Sequence, residues 1–448
     1  MAVFLILCSI IAFMFLAYRG ISVLLLSPLL AFLLAVLSPD MHALASYTQI
    51  FMPGMGNFII DYFPLFFVSA IFGKLMDVSG SAAAISRCVM NMFSAKHAIV
   101  AIVFACGVLT HGGVSLFVVV FTVYPIAAEI FRSAGIPKRL MPATIALGSF
   151  TFTMSALPGA PAIQNIIPSR YFGTDSFAAA GLGCFAALLI VGAGLAWLYY
   201  RAQNIKDEFD PDEYVSKHDG TVDIPSSFVA FLPLILVLVL NYAMLHIVFP
   251  KIDTSYLLSE KYGGITLDKI SSIWSVLISL SLASVLCLLM NFKKLNVLAA
   301  LTSGANDAIM PIFNTSSVLG YGAVVSALSG FAVIKNWIVS ISSSSEVATY
   351  AFVTSALSGI TGSASGGMTI ALNALSDRIA ALQSDPAVLH RIVALASGCL
   401  DTLPHNGAVV TLLAICGMTH KKSYKDICVV SLVLPLCVTS MIVLFGYN

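Results

Sequence analysis

Charge is what this sequence has least of. Only 10% of its 448 residues are Asp, Glu, Lys or Arg, against about 25% in a soluble domain. With 59% of the residues hydrophobic, a water-soluble globule would have nothing to cover its surface with, whereas lipid as the solvent removes that difficulty. The net charge of +1 points to no nucleic acid partner. The nine cysteines stand singly, as at Cys106, Cys184 and Cys287, with no CxxC or Cys/His cluster, which argues against a disulfide framework or a zinc site. No Lys or Arg precedes the first apolar run, so the basic n-region of a cleaved signal peptide is missing and 3–18 is expected as a retained first helix.

Long apolar runs are abundant. A membrane helix needs about 20 apolar residues, and candidates lie near 3–18, 21–38, 58–77, 142–166, 177–200, 228–249, 270–291, 308–334, 392–416 and 427–446. Two more apolar stretches, about 98–124 and 347–375, carry glycine pairs at their middles and read as crossings or as re-entrant hairpins. One polar segment divides the chain. It contains Lys206, Asp207, Glu208, Asp210, Asp212 and Glu213 and is too short for a core of its own. The expected organisation is an N-terminal membrane repeat, 1–200, a linker, 201–227, and a C-terminal membrane repeat, 228–448.

The halves repeat a pattern. Gly112-Gly113-Val114-Ser115-Leu116 corresponds to Gly366-Gly367-Met368-Thr369-Ile370, and Leu157-Pro158-Gly159-Ala160-Pro161-Ala162-Ile163 to Leu403-Pro404-His405-Asn406-Gly407-Ala408-Val409, in the same order and at similar spacing. Breaking a membrane helix frees backbone groups that cost several kcal/mol each in lipid, so breaks persist where they line a polar cavity. Matched breaks in two halves point to a transporter binding site. A single break is as well explained by a packing kink.

If each glycine-broken stretch returns to its own side, each half crosses five times and the halves are inverted. Most Lys and Arg residues then share one side, among them Arg19, Lys74, Arg132, Lys138, Arg201, Lys293 and Lys421, while Arg170, Lys251, Lys335, Arg378 and Arg391 fall in loops on the other. The positive-inside rule makes the first side cytoplasmic, with the linker inside and both termini periplasmic or extracellular.

The runs Thr361-Gly362-Ser363-Ala364-Ser365-Gly366-Gly367, Leu403-Pro404-His405-Asn406-Gly407 and Met418-Thr419-His420-Lys421-Lys422 resemble the gluconate permease (GntP) family, as does Leu157-Pro158-Gly159-Ala160-Pro161. The resemblance implies the ion transporter superfamily: an all-α polytopic inner-membrane protein of two inverted repeats, each with a re-entrant hairpin and a helix broken at mid-membrane, carrying carboxylate-like anions. It also implies a homodimer working by an elevator motion. Gluconate carriers have an acidic element at the first hairpin, where this chain has Thr110-His111-Gly112-Gly113. That departure resembles a subgroup for short hydroxy acids such as 3-hydroxybutyrate, or for citrate-like acids.

An anion at mid-membrane needs donors, and half-helix N-termini supply them. The expected substrate site takes Thr110, His111, Gly112, Gly113 and Ser115 from the first hairpin and Gly362, Ser363, Ser365, Gly366, Gly367 and Thr369 from the second. The breaks add Gly159, Gln164 and Asn165, and Thr402, His405 and Asn406. No Arg or Lys falls inside these elements, which favours weak, releasable binding by neutral donors. The alternative role of the small hydroxyl residues is helix packing. Ionisable groups inside a membrane are functional candidates. Asp401, His405 and His111 are expected to couple protons, a histidine titrating near neutral pH; their alternative role is a structural hydrogen bond. Asp307 reads as a helix end and His246 as interfacial. The expected activity is proton-driven symport of a small organic acid anion, with sodium coupling as the nearest alternative. A channel would present pore rings. A membrane enzyme would need a catalytic motif, and neither HExxH nor a GxSxG triad is present. No cofactor is expected.

Overall fold

Apolar composition and the need to satisfy every backbone group in lipid leave helices as the available element, and the described residues contain helices and no strand. The structure is a computed structural model and describes residues 2–19, 21–92, 97–114, 116–205, 210, 225–267, 270–292, 296–334, 345–379, 382–404 and 406–446. Ser115, His405 and most of the 201–227 segment lie outside the described residues.

Among the described residues, six helices are long and apolar enough to cross a membrane. They are α3 (Ala43–Val78), α9 (Ala180–Asn204), α10 (Ser227–Lys251), α11 (Ser271–Asn291), the pair spanning Val297–Ala327, and α18 (His420–Leu444). The shorter helices are α1 (Ala2–Tyr18), α2 (Val23–Leu37), α4 (Ser81–Asn91), α5 (Ala98–His111), α6 (Leu116–Ala134), α7 (Met141–Ser149), α8 (Ile163–Phe172), α14 (Glu346–Thr361), α15 (Ala364–Ala374), α16 (Pro386–Ser397) and α17 (Gly407–Ile415). The run expected at 308–334 is instead two helices, α12 (Val297–Asp307) and α13 (Ile309–Ala327), which meet at Ala308.

The helices pack in two groups. In one, α3 lies against α11, α12 and α13, with α10 on α11 and α2 on α13. The other brings together α5 to α9 and α14 to α18: α7 packs on α5, α9 and α18, and α16 on α8 and α14. Elements from both ends of the chain therefore interleave in the second group. Between the groups, α4 touches α3 and α10 on one side and α5 and α6 on the other, and α13 lies against α15.

Both glycine-paired stretches break, the first at its pair and the second four residues before its own: Gly366 and Gly367, expected at the break, lie inside α15, and the turn falls at Gly362. α5 stops at His111, and the chain turns through Gly112 and Gly113, the latter at φ +91°. The Val114 amide donates back to Leu109 O and that of Gly113 to Thr110 O, so the last carbonyls of α5 are satisfied. α14 stops at Thr361, with Gly362 left-handed at φ +61°. Ser363 then caps α15 by accepting from the Gly366 amide. In both cases the two helices flanking the turn pack against each other. The closest approach is at Gly367, where a Cβ would stand 2.2 Å from the Ser358 backbone.

The proline-broken helices separate as their sequences require. After α7 and a single turn over Phe152–Ser155, the chain runs irregularly to Ala162, because neither Pro158 nor Pro161 can donate an N–H. α16 ends at Ser397, and α17 restarts at Gly407 behind Asn406, whose side chain accepts from the Ala408 and Val409 amides. Such a cap contributes about 1 kcal/mol.

Two arginines expected in loops are not in them. Arg170 sits in the last turn of α8 and forms an ion pair with Asp61 of α3. Arg391 lies inside α16, with none of its surface exposed.

Candidate functional site

The hairpin tips lie on the helix breaks. A Cβ on Gly113 would meet Pro161 at 2.9 Å, which seats the first tip on the first break. The Asn406 amide donates to Gly362 O at 2.9 Å, which joins the second tip to the second break. The breaks themselves meet, since a Cβ on Gly398 would lie 3.3 Å from Ser155 Oγ. Four irregular segments, drawn from residues far apart in sequence, thus form one continuous contact.

Many of the expected site residues spend their polar atoms on holding these segments. Asn165 Nδ2 donates to Leu157 O at 3.1 Å and to Ala160 O at 3.4 Å, while its Oδ1 accepts from Arg391. Gly159 donates to Ser176 O and accepts from Asn241. Asn406 Nδ2 also donates to Asp401 O, and its Oδ1 caps α17. Thr402 Oγ1 donates to Ser431 O and accepts from the Ser431 hydroxyl. Thr369 bonds back to Ser365 O, and Ser363 Oγ is the α15 cap, 3.4 Å from Ser365 Oγ. Their geometry is that of a scaffold around the breaks.

A smaller set keeps buried polar atoms without a hydrogen-bond partner: Thr110 Oγ1, His111 Nδ1, Gln164 Oε1 and Asp401 Oδ1. Thr110 and His111 precede the first tip, Gln164 opens α8 just beyond the first break, and Asp401 lies in the second break. A buried polar atom left unpaired costs about 1–3 kcal/mol. Groups of that kind gathered at helix breaks are where a hydrogen-bonding ligand would regain the loss. Asp307 ends α12, exposed and in the other helix group. His246 Nε2 stands 3.6 Å from Asp175 and 4.5 Å, ring to ring, from Tyr242.

Several supporting residues escaped sequence reasoning. Tyr424 OH donates to Thr402 O and His420 Nε2 to Pro404 O, each at 3.0 Å, so α18 holds the carbonyls of the second break. Asp426, fully buried, accepts from Arg201 Nε at 2.8 Å and from Trp197 Nε1 at 3.2 Å, tying α18 to α9. The Lys-rich run before Asp426 disguised it as an interfacial segment. Arg391 brings a cation to the first break although no Arg or Lys falls inside the hairpin and break segments. Its side chain enters from α16, outside the segments that looked unusual.

Apolar helices long enough to span a membrane, interrupted where the hairpin tips meet them, are the architecture of a multi-pass membrane protein. The comparisons are specific. The pattern of the GntP family permeases matches residues 1–447, and the chain belongs to that family. The uncharacterized transporter YxjC of Bacillus subtilis (strain 168) is 40% identical over 460 residues, covering 97% of this chain and 96% of that protein. Among solved structures, the YdaH transporter of Alcanivorax borkumensis has a TM-score of 0.54 over 98% of each chain at 14% identity, a likeness of fold alone.

Proposed function

We propose that this permease is a secondary active symporter that imports a small organic acid anion, driven by protons. The observation that carries the reading is the junction of two hairpin tips with two crossing helix breaks, where Thr110, His111, Gln164 and Asp401 keep unpaired buried polar atoms. The Thr110 hydroxyl, the His111 ring and half-helix N-termini there offer neutral donors that suit a carboxylate, and Gln164 Oε1, an acceptor, suits a substrate hydroxyl. Of the sequence-derived substrate residues, Thr110, His111 and Gln164 contact the anion, with the tip glycines giving close backbone approach. Asn165, Asn406, Thr402 and Gly159 hold the frame. Asp401 is the coupling carboxylate, assisted by His405 and His111. The cargo is a short hydroxycarboxylate of the 3-hydroxybutyrate kind, or a citrate-like acid, as the missing carboxylate at the first tip favours.

The matched order of tips and breaks supports two inverted repeats, 1–200 and 228–448, with re-entrant hairpins and a cytoplasmic linker between them. The Lys/Arg bias supports an inner-membrane orientation with both termini outside. The division of the helices into two packed groups suits an elevator motion of one group against the other, in a homodimer. The test is uptake into liposomes of a panel of carboxylic acids under an imposed pH gradient. Acid-driven accumulation is expected, and Asp401→Asn abolishes the driving effect. Uptake that requires sodium at fixed pH would replace the proton with sodium, a reading favoured by the hydroxyl- and carbonyl-rich tip at Gly362–Ser365.

A further inference from the structure

We propose that Arg391 is the fixed positive charge that makes the first helix break attractive to an anion; this rests on the carrier reading above. The side chain is wholly buried. Its five N–H groups meet five acceptor contacts: Nε with Ala178 O at 3.1 Å, Nη1 with Ser155 O at 3.4 Å and Asn165 Oδ1 at 2.6 Å, and Nη2 with Ser176 O at 3.1 Å and Ala178 O at 2.9 Å. Every acceptor is neutral. Among the described residues no carboxylate stands within ion-pair reach of the guanidinium. Asp175, within electrostatic range, turns its oxygens to the Phe177 amide and to His246. The hydrogen bonds are complete, and no described carboxylate pairs directly with the charge.

Buried charges are ordinarily paired, because an unpaired one is costly in a low-dielectric interior. A carrier can tolerate one where the partner comes and goes. The position fits that use. The acceptors Ser155 and Asn165 flank the first break, and Gly183, lacking a Cβ, lets Ala156 O and Arg391 approach α9 closely. Next to Asn165 in sequence stands Gln164, whose buried Oε1 has no partner and, as an acceptor, suits a ligand hydroxyl rather than its anionic oxygens. The guanidinium therefore acts through Asn165 and the break backbone, as a positioning and charge-supplying residue that does not itself touch the anion. At an effective dielectric near 20, a unit charge about 10 Å away changes affinity roughly tenfold or more.

Asn165→Asp tests this in the full-length protein, because it places a carboxylate beside Nη1, although it gives up the amide's donation to Leu157 O and Ala160 O. Asn165→Leu is the comparison. Thermal unfolding is measured in detergent, alone and titrated with 3-hydroxybutyrate, citrate, nitrate and phosphate. With those two bonds lost in both variants, anion-induced stabilisation at least tenfold weaker in N165D than in N165L is expected. N165D binding anions as tightly as N165L would mean the charge already has its compensation, and would overturn the proposal. So would anion affinity unchanged within twofold, or a wild type that responds to no anion. If nitrate or phosphate stabilises the wild type but not N165D while both organic acids fail, the fixed charge stands and the organic-acid reading falls.

Discussion

Replacing Gly367 by alanine is the sharpest test of how the second hairpin is built. The added methyl would stand 2.2 Å from both Cα and N of Ser358 and 2.6 Å from Leu357 C. All three are main-chain atoms that cannot rotate away. Ordinary contact starts at 3.4 Å, so α14 and α15 must part by roughly 1.2 Å, in a region where interiors are close-packed. Overpacking of this kind costs about 3 kcal/mol or more. Gly366, one position earlier, is the internal control. A methyl there meets only Ser363 Oγ at 3.3 Å and Val318 Cγ1 at 3.6 Å, and removing a helical glycine otherwise gains about 0.5–1 kcal/mol. G367A is therefore expected to lose several kcal/mol, or to fail to fold, while G366A stays within about 1 kcal/mol of the parent. Thermal unfolding followed by size-exclusion chromatography in detergent reads the difference. A G367A protein as stable as wild type, or a G366A protein that is the worse of the two, would refute the crossing of α14 over α15 at this point.

Two ion pairs should behave unlike each other. Asp426→Ala removes a fully buried carboxylate from the partly buried Arg201 and Trp197 and should cost about 3 kcal/mol, whereas Asp61→Asn, in a pair whose side chains are about a third exposed, should cost no more than about 1 kcal/mol; equal losses in a denaturant titration would contradict the burial argument. Asp40, in the turn after α2, accepts from the Ser38 hydroxyl and from the Ser329 amide, and these bonds hold its carboxyl down from 3.8 to about 2. A depressed carboxylate stabilises the fold above its unfolded value and loses that contribution as pH falls toward its folded one. The melting-temperature gap between wild type and D40N should be constant near neutral pH and close between about pH 4 and pH 2, and a gap that widens on acidification would reverse the assignment.

What could be read in advance was local. The Gly112–Gly113 pair and the prolines mark the first turn and the two helix breaks, because these residues act on their own backbone, whereas the Gly366–Gly367 pair lies within α15 and the second turn falls at Gly362. Membrane residence and helical class followed from composition for the same reason. What stayed hidden depends on contacts across the fold. Gly366 and Gly367 are indistinguishable as letters, and only the crossing angle of two helices makes one replaceable and the other not. Asn165 carries an amide suited to binding cargo, yet its atoms are all engaged by the break and by Arg391. That arginine stands alone in an apolar run, where a flanking charge is the ordinary explanation, and its partner is 226 positions away.

That separation has a consequence for how the molecule is made. The carbonyls of Ser155, Ser176 and Ala178 belong to the early part of the chain, and the guanidinium that receives them is translated near its end. A nascent chain halted after its first half would hold an opened helix in the bilayer with those oxygens unanswered. Neither half is therefore a self-sufficient folding unit. Co-expressed fragments divided within the polar linker should each be short-lived and should recover together, with α16 of the second supplying what the first cannot.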